Sequence, residues 1–278
     1  MLNPINIDNL IKAALVEDNN YYDVASATLL NKDQESKAYF EAKADGILSG
    51  IDIALRVFEI LDPSFTYKTK FQDRDKIKKG DIIAEFKGNT ILLLQGERVA
   101  LNILCHMSGV ATATNKLVEL CKGKDVSVAD TRKTLPGLRS LEKYAVVCGG
   151  GKNHRYNLSD CAMLKDNHID AAGGIKKAVS KVREQLGHTI KIEVETRNLD
   201  EVQEAIDAKA DIIMLDNMTL DQMAQAVQLI NKSAIVEASG NVTEETIVDI
   251  AKTGVDLISS GAITHSVKAF DISMKFEK

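Results

Sequence analysis

The sequence has no apolar run long enough to cross a membrane and few cysteines. Since a spanning helix needs about 20 mainly apolar residues, we expect no membrane span. Residues 1–8 have neither a basic patch nor a long apolar stretch, so we also expect no secretory signal. Cys105, Cys121, Cys148 and Cys161 form no Cys-x-x-Cys pair. This spacing favours reduced thiols in a cytoplasmic protein over a zinc site or a disulfide framework.

An excess of positive charge is also lacking, because the 278 residues have a formal net charge of −5. A general nucleic-acid binder needs a basic surface, and we exclude that class. The charge is unevenly distributed, however, since residues 130–168 include seven Lys/Arg and only four Asp/Glu. A basic segment in an acidic protein indicates a compact anionic ligand. A solvated basic face is the alternative.

Three common motifs of phosphate binding, dinucleotide binding and hydrolysis are absent. The segment Gly149-Gly150-Gly151-Lys152 lacks the Gly-x-x-x-x-Gly-Lys-Ser/Thr spacing of a P-loop, and no strand–GxGxxG–helix unit is present. Ser239 lies in Ala-Ser-Gly rather than in the Gly-x-Ser-x-Gly elbow of a hydrolase. Any phosphate or nucleotide site must therefore be built in another way.

The first part of the chain mixes helical and strand periodicity. Apolar residues have helical spacing over 5–16 and 51–61, and they alternate over 37–44 and 66–71. A long helix is expected over 92–121, and Ser108-Gly109 marks the point at which it could break. Such a mixture is typical of an α+β domain.

The second part repeats a strand–helix unit. Asn198 with Glu201, and Thr219 with Gln222, have the spacing of capping boxes at the starts of two helices. Repeated units of this kind predict a parallel sheet. A closed eightfold β/α barrel needs about 250 residues, which is more than this part offers, so we expect a reduced or open barrel. A doubly wound open sheet is the alternative. The predicted strands, each an apolar run that ends in polar residues, are 126–131, 162–167, 191–196, 212–217, 235–240 and 257–261.

The residues that follow these strands should form one site, since ligands of parallel β/α folds bind at the carboxyl ends of the strands. Arginine forks suit planar carboxylates, carboxylates suit sugar hydroxyls or Mg²⁺, and glycines let the backbone approach phosphate closely. The pattern predicts a planar acid beside a sugar phosphate. The cations are Arg132, Lys133, Arg155 and Lys165, the carboxylates are Glu195 and Asp216, and the small polar groups are Ser239, Gly240 and Gly261.

Several segments resemble the signature motifs of the quinolinate phosphoribosyltransferases, and the resemblance covers nearly the whole chain. Asp130-Thr-Arg-Lys-Thr-Leu-Pro-Gly-Leu-Arg139 and Gly149-Gly-Gly-Lys-Asn-His-Arg155 are the most specific. One departure occurs at Glu17–Asp23, where the family often has glycines and this chain has Asn-Asn-Tyr-Tyr. Further motifs in the family's order lie at 96–102, 141–146, 164–169, 193–195, 214–217, 237–240 and 260–265.

The resemblance implies an α/β fold with two domains. Residues 1–110 would form an N-terminal α/β sandwich to which 266–278 return, and residues 111–265 would form an open, incomplete β/α barrel. The implied reaction joins quinolinate to phosphoribosyl pyrophosphate and releases carbon dioxide, in de novo NAD biosynthesis, with Mg²⁺ as cofactor. A cytoplasmic homodimer is implied, sometimes assembled further.

The resemblance also implies roles for particular residues. Lys133, Glu195 and Asp216 would be catalytic, and Arg98 would reach the site from the partner subunit. Glu195 and Asp216 would also place Mg²⁺ through water. Quinolinate would be held by Arg98, Arg132, Lys133, His154, Arg155 and Lys165. Phosphoribosyl pyrophosphate would be held by Lys133, Lys165, Glu195, Asp216, Ser239, Gly240 and Gly261.

Three alternatives stay open at this point. A related phosphoribosyltransferase would act on another acid, and a non-catalytic sensor would bind a pyridine dicarboxylate without turnover. An aldolase-like barrel would use Lys165 as a Schiff-base lysine. The paired arginines and the presence of Lys133, Glu195 and Asp216 weigh against all three.

Overall fold

The computed structural model describes residues 2–19 and 23–277. Residues 20–22, in the segment that departs from the family, lie outside the described residues. The strands are β1 (Glu35–Ala42), β2 (Gly46–Ile47), β3 (Thr66–Thr69), β4 (Lys76–Ile77), β5 (Ile82–Asn89), β6 (Ser127–Ala129), β7 (Ala162–Leu164), β8 (Ile192–Thr196), β9 (Ile212–Asp216), β10 (Ile235–Ser239), β11 (Leu257–Ser259) and β12 (Ile272–Phe276). The helices are α1 (Pro4–Asp18), α2 (Val24–Leu29), α3 (Ile51–Leu61), α4 (Thr90–Leu120), α5 (Arg139–Cys148), α6 (Asp166–Ala172), α7 (Ile175–Gln185), α8 (Leu199–Asp207), α9 (Leu220–Ile230), α10 (Ile247–Lys252) and α11 (Ala262–His265).

The chain divides into two compact units. The first comprises Met1–Asn115, Leu135–Gly150 and Ser266–Lys278, and the second comprises Lys116–Thr134 and Gly151–His265. Residues 111–115 and 135–150, which the expected domain boundary assigns to the barrel, thus lie in the first unit. None of the helices in the described ranges is both long and apolar enough to cross a membrane.

The first unit is built on a four-stranded antiparallel sheet in the order β12-β1-β5-β3. Strand β12 pairs with β1, so that Ala38 opposes Phe276 and Ala42 opposes Ile272. Successive side chains of a strand point to opposite faces. Alternation along β1 therefore buries Ala38, Phe40 and Ala42 on one face of the sheet, which needs an apolar cover.

Aromatic side chains provide much of that cover. Phe58 of α3 lies with its ring centroid 5.3 Å from both Phe65 and Phe86, and Phe40 lies 4.9 Å from Phe86. Aromatic pairs at such distances contribute beyond their buried area. A Cβ atom at Gly96 of α4 would come within 2.8 Å of the Phe58 ring, so the glycine permits close packing of α4 on this cluster.

Helix α4 is a single helix of 31 residues, and the expected break at Ser108-Gly109 was wrong. The Ser108 hydroxyl donates to the Ser49 carbonyl at 3.2 Å and accepts the Ser49 N–H at 3.1 Å. The serine is therefore satisfied by a neighbour and does not compete with the helix backbone. A Cβ atom at Gly109 would lie 2.6 Å from the Lys268 carbonyl oxygen. Both residues serve packing rather than a helix end.

The second unit contains a six-stranded parallel sheet in the order β6-β11-β10-β9-β8-β7. From β7 to β11 neighbours in the chain are also neighbours in the sheet, and β6 returns beside β11. In the described ranges β6 and β7 form the two edges, so the barrel is open between them. The prediction of an α/β fold with an N-terminal sandwich and a C-terminal open barrel is confirmed.

The register of this sheet decides which side chains share a face. Glu193 opposes Ile212, Glu237 opposes Met214, and Asp216 opposes Ser239. Because residues two apart in a strand point the same way, these polar side chains all lie on one face. The opposite face is apolar and buried against helices, and it includes Ile192, Val194, Ile213, Leu215, Val236 and Ala238.

Two of the helices behind this sheet begin where the sequence predicts. The Asn198 side chain accepts the Glu201 N–H at 2.9 Å at the start of α8. Thr219 and Gln222 form a reciprocal capping box at the start of α9, with distances of 3.3 and 3.0 Å. These caps satisfy backbone groups that a helix start leaves unpaired, and they end the polar loops that follow β8 and β9.

Candidate active site

The carboxyl edge of the six-stranded sheet encloses a cavity of about 490 Å³. Cations reach it from the loops after β6 and β7, and carboxylates reach it from β8 and β9. The structure therefore brings together residues that are up to 128 positions apart, as the span from Thr131 to Ser259 shows. Eight predicted site residues line the cavity: Arg132, Lys133, His154, Arg155, Lys165, Glu195, Asp216 and Ser239.

Lys165 and Glu195 form an ion pair in this cavity. Met163 opposes Glu193 in the register of β7 and β8, which puts Lys165 level with Glu195. The Lys165 ammonium donates to Glu195 Oε2 at 2.6 Å. A cation predicted for the planar acid thus lies beside a carboxylate predicted for the sugar, so the two predicted subsites adjoin.

Lys133 is held in place through its backbone. Its N–H donates to the Thr131 hydroxyl at 3.0 Å, and its carbonyl accepts the Thr264 hydroxyl at 2.7 Å. A Cβ atom at Gly261 would lie 2.8 Å from Lys133 Cδ. Gly261 was predicted as a phosphate contact, and the structure shows that it also leaves room for the Lys133 side chain.

Asp130, buried directly after β6, orders the segment that carries the next two site residues. Its Oδ1 accepts the His154 N–H at 2.8 Å, and its Oδ2 accepts the Asn153 side-chain amide at 2.7 Å. Lys152 forms a parallel bridge with Ala129 of β6. The segment that begins at Lys152 therefore runs along the edge of the sheet and places His154 and Arg155 in the cavity.

His154 lies between two buried carboxylates. Its Nε2 is 3.1 Å from Glu193 Oε2 and 3.5 Å from Glu237 Oε2, and its Nδ1 accepts the Arg155 backbone N–H at 2.8 Å. Burial opposes a charged ring, but the hydrogen bonds and charges of Glu193 and Glu237 raise the pKa of His154 to about 10. Burial likewise raises the pKa of Glu193, so Glu193 and His154 compete for one proton. Where Glu193 holds that proton, the His154 ring is neutral with its own proton on Nε2, and Nδ1 can accept the Arg155 N–H.

The same three residues are a group whose potential metal-ligating atoms lie within 4.8 Å of one another. Glu195 and Asp216, which the sequence predicts as the residues that place Mg²⁺, are not members of this group. A ring nitrogen that carries a proton has no lone pair to offer a metal. The cluster of His154, Glu193 and Glu237 is therefore better described as a hydrogen-bonded unit than as a metal centre.

Asp216 and Ser239 end neighbouring strands beside a tight loop. The Asn217 N–H donates to the Ser239 carbonyl at 2.9 Å, and the Asn217 amide donates to Asp216 Oδ2 at 3.0 Å. Gly240 has a φ of +100°, and a Cβ atom there would lie 2.1 Å from Asn217 Oδ1. Only glycine fits this position beside Asn217.

Some predicted residues lie elsewhere, and some cavity residues were missed. Arg98 is exposed on α4 in the first unit, so the second unit does not contain it. Gly240 and Gly261 adjoin the cavity residues Ser239 and Lys133 without lining the cavity themselves. Met214 and Glu237 lie two residues before Asp216 and Ser239 on β9 and β10, so the two-residue period of a strand could have identified both of them. The residues missed are Thr131, Met163, Met214, Asn217, Glu237 and Ser259.

A larger cleft of about 940 Å³ opens at the amino ends of the same strands, near Ala210, Ile235 and Leu257. Its lining shares only His154 with the predicted site. Ligands of β/α barrels bind at the carboxyl ends of the strands, and the charged residues of the predicted site converge there. We therefore place the candidate site in the smaller cavity.

Comparison with known proteins gives a consistent family. The model of the quinolinate phosphoribosyl transferase N-terminal domain matches residues 23–108, and that of the C-terminal domain matches residues 110–275. The chain is 41% identical over 273 residues to the probable nicotinate-nucleotide pyrophosphorylase [carboxylating] of Bacillus subtilis, covering 98% of this chain and 94% of that protein. It is 43% identical over 290 residues to the mitochondrial quinolinate phosphoribosyltransferase [decarboxylating] 2b of Nicotiana tabacum, covering 98% and 82%.

Solved structures agree with this assignment. The structure of NadC from Streptococcus pyogenes superposes with a TM-score of 0.96 at 42% identity, covering all of this chain and 99% of that one. The nicotinate-nucleotide pyrophosphorylase from Francisella tularensis superposes with a TM-score of 0.96 at 41% identity, covering 100% and 98%. Family models, relatives and structures thus cover both units, and the chain belongs to the quinolinate phosphoribosyltransferase family.

Proposed function

We propose that this protein transfers the phosphoribosyl group of phosphoribosyl pyrophosphate to quinolinate, with loss of carbon dioxide. The products are nicotinate mononucleotide, pyrophosphate and carbon dioxide, and the reaction belongs to de novo NAD biosynthesis. One observation carries the proposal: the cations and the carboxylates of the predicted site line one cavity and meet in the Lys165–Glu195 ion pair. A site that holds a dicarboxylate beside a sugar phosphate needs cations for the first ligand and carboxylates for the hydroxyls of the second.

The cationic side of the cavity suits quinolinate. Arg132, Arg155 and Lys165 supply two guanidinium forks and one ammonium to two carboxylates on a flat ring. His154 was predicted in the same set, but both of its ring nitrogens are engaged within the protein. We therefore assign His154 to the support of Arg155 rather than to a charged contact with the substrate.

The opposite side suits phosphoribosyl pyrophosphate. Glu195 and Asp216 can accept hydrogen bonds from the ribose hydroxyls, and Ser239 with the backbone at Gly240 and Gly261 can receive the 5′-phosphate. The Lys133 and Lys165 ammonium groups can neutralise the pyrophosphate. No side chain needs to form a covalent bond with either substrate, so positioning and electrostatics supply the catalysis.

The roles of these residues in the reaction follow from their charges. The quinolinate nitrogen forms a bond to the anomeric carbon as the bond to pyrophosphate breaks, and positive charge develops on the ribose. Glu195 and Asp216 stabilise that charge, while Lys133 stabilises the leaving group. The bond between the adjacent ring carbon and its carboxylate then breaks, and carbon dioxide leaves. The electron pair stays on that carbon as a carbanion, which the positive ring nitrogen stabilises until a proton from solvent is added. A dedicated acid is not needed for that step.

The carboxylates fit the predicted Mg²⁺. Protein Mg²⁺ sites commonly use one or two carboxylates with water and substrate phosphates, and Glu195 and Asp216 lie on adjacent strands with their side chains on the same face. When bound, Mg²⁺ would neutralise pyrophosphate charge. The role of the two residues would be to hold the ion through water.

A homodimer, possible higher assembly and a cytoplasmic location are also parts of this proposal. The dimer rests on the family resemblance, which implies that Arg98, exposed on α4, reaches the quinolinate site of the partner subunit. The tobacco relative is named as mitochondrial. We propose the cytoplasm for this chain because its four cysteines are free thiols, as is usual in a reducing compartment.

A substrate-pair assay tests the proposal. Purified protein with Mg²⁺ and phosphoribosyl pyrophosphate is offered quinolinate or nicotinate, and mononucleotide and carbon dioxide are measured. We expect turnover with quinolinate alone and one carbon dioxide for each mononucleotide. Turnover with nicotinate alone would indicate a related phosphoribosyltransferase of other specificity. Binding of quinolinate without turnover would indicate a sensor.

A further inference from the structure

Glu193 and Glu237 are fully buried carboxylates that the proposed chemistry does not use. They lie on β8 and β10, on either side of β9, and the register puts both on the face that lines the cavity. Two buried carboxylates on one face are costly unless partners offset the loss of hydration. Within the described residues, neither Glu237 oxygen accepts a hydrogen bond of good geometry, although Oε2 lies 3.5 Å from His154 Nε2. His154 Nε2 therefore lies close to both buried carboxylates.

The His154 ring links these carboxylates to Arg155. On one side its Nε2 faces Glu193 and Glu237, and on the other its Nδ1 accepts the Arg155 backbone N–H at 2.8 Å. The Arg155 guanidinium in turn donates to the Cys161 carbonyl at 2.9 Å. Arg155 is thus held at its backbone by His154 and at its guanidinium by the segment that leads into β7.

We infer that Glu193 and Glu237 are positioning residues of the quinolinate site, which hold the His154 ring so that His154 fixes Arg155 in the cavity. This inference rests on the proposed function. Arg155 lies on irregular backbone before β7, and a guanidinium must be well placed to bind a carboxylate through both nitrogens. The buried carboxylates supply that placement from rigid strands. Neither of them needs to touch the substrate.

The first test separates positioning from folding. Glu237→Gln keeps the side-chain size and removes the charge. We expect the KM for quinolinate to rise about tenfold, with the KM for phosphoribosyl pyrophosphate changed less than about twofold. The matched control is Asp62→Asn, which removes a buried carboxylate charge from the first unit, where Asp62 accepts hydrogen bonds from Ser64 and Asn89. The control should lower Tm and leave both KM values unchanged. Equal changes in both KM values for Glu237→Gln would overturn the inference.

A double-mutant cycle tests the route through Arg155. If Glu237 acts through His154 on Arg155, Glu237→Gln should have little further effect on quinolinate affinity in an Arg155→Ala background. Full additivity would contradict this route. If Glu237→Gln does not fold, His154→Gln can be used instead, because it removes the ring between the carboxylates and Arg155. It should give the same selective rise in the KM for quinolinate.

Nuclear magnetic resonance of ¹⁵N-histidine-labelled protein provides a readout that does not depend on turnover. We expect a His154 ring with its proton on Nε2 in the wild-type protein, and a shifted His154 ring signal in Glu193→Gln and Glu237→Gln. If the His154 ring of the wild-type protein has the chemical shifts of a solvent-exposed histidine, the positioning role is refuted even if quinolinate is turned over. Wild-type turnover, measured first, tests the proposed function by itself. If that assay shows no turnover while the His154 signal is as expected, the inferred arrangement of His154, Glu193 and Glu237 is retained and quinolinate is rejected as the substrate.

Discussion

The Lys165 ammonium donates to Glu195 Oε2 at 2.6 Å, and this contact joins the two halves of the cavity. The lysine side chain is 46% exposed and the glutamate side chain 12% exposed. The pair is therefore accessible to a ligand and is not part of the core. An ion pair with this exposure contributes little to stability, so its purpose is better sought in binding and catalysis.

Replacing Glu195 should accordingly reduce activity much more than stability. For Glu195→Gln we expect kcat to fall about 100-fold, as when one electrostatic group of a transition-state site is removed. The free energy of unfolding should change by less than about 1 kcal/mol. The control is Asp249→Asn, which removes an exposed ion pair with Lys252 on α10 and should alter neither quantity. A Glu195→Gln enzyme of normal kcat would remove this residue from the catalytic set.

Arg132 should bind quinolinate through its planar fork. Arg132→Lys replaces the fork with a point charge, and we expect titration calorimetry to show binding weaker by about 1.5–3 kcal/mol. Arg183→Lys is the matched control, because Arg183 binds Asp211 and the Lys209 carbonyl outside the cavity. Unchanged affinity in both Arg132→Lys and Arg132→Ala would show that quinolinate does not use this side chain.

A side chain at Gly240 should disturb the phosphate end of the site. Gly240→Ala forces a Cβ atom into Asn217 at a φ of +100°, and we expect a loss of about 1–3 kcal/mol in chemical denaturation. The KM for phosphoribosyl pyrophosphate should rise as well. Gly187→Ala is the control, since its Cβ atom would meet nothing within 4 Å. If Gly240→Ala is as stable and active as Gly187→Ala, the loop has more freedom than the structure indicates.

The proposed dimer can be tested by complementation. Arg98→Ala and Lys133→Ala should each be inactive, because the first removes a predicted quinolinate contact and the second a predicted catalytic cation. Mixed after subunit exchange, the two variants should regain part of the activity, since some sites then combine an intact Arg98 with an intact Lys133. An absence of regained activity, with exchange confirmed by mass spectrometry, would place Arg98 and Lys133 in the site of one subunit.

Local patterns predicted much of the fold and part of the site. Apolar runs located the six strands of the barrel, and Asn198 and Thr219 marked helix starts that the structure confirms. The break at Ser108-Gly109 was wrong, because local sequence does not show that Ser49 satisfies the serine. Glu237 was missed as a cavity residue because strand ends, rather than every second position, were taken as the site.

The sequence by itself determined which residues have the chemistry: arginines and lysines after the early strands, carboxylates on later ones, and glycine where φ is positive. These are local properties, set by side-chain type and by the two-residue period of a strand. Only the tertiary structure decided which of these residues meet. Strand order and register put Glu193 and Glu237 on one face across β9, and buried Asp130 sets the path that brings His154 between them. Such contacts depend on pairing between distant segments, which no local period encodes.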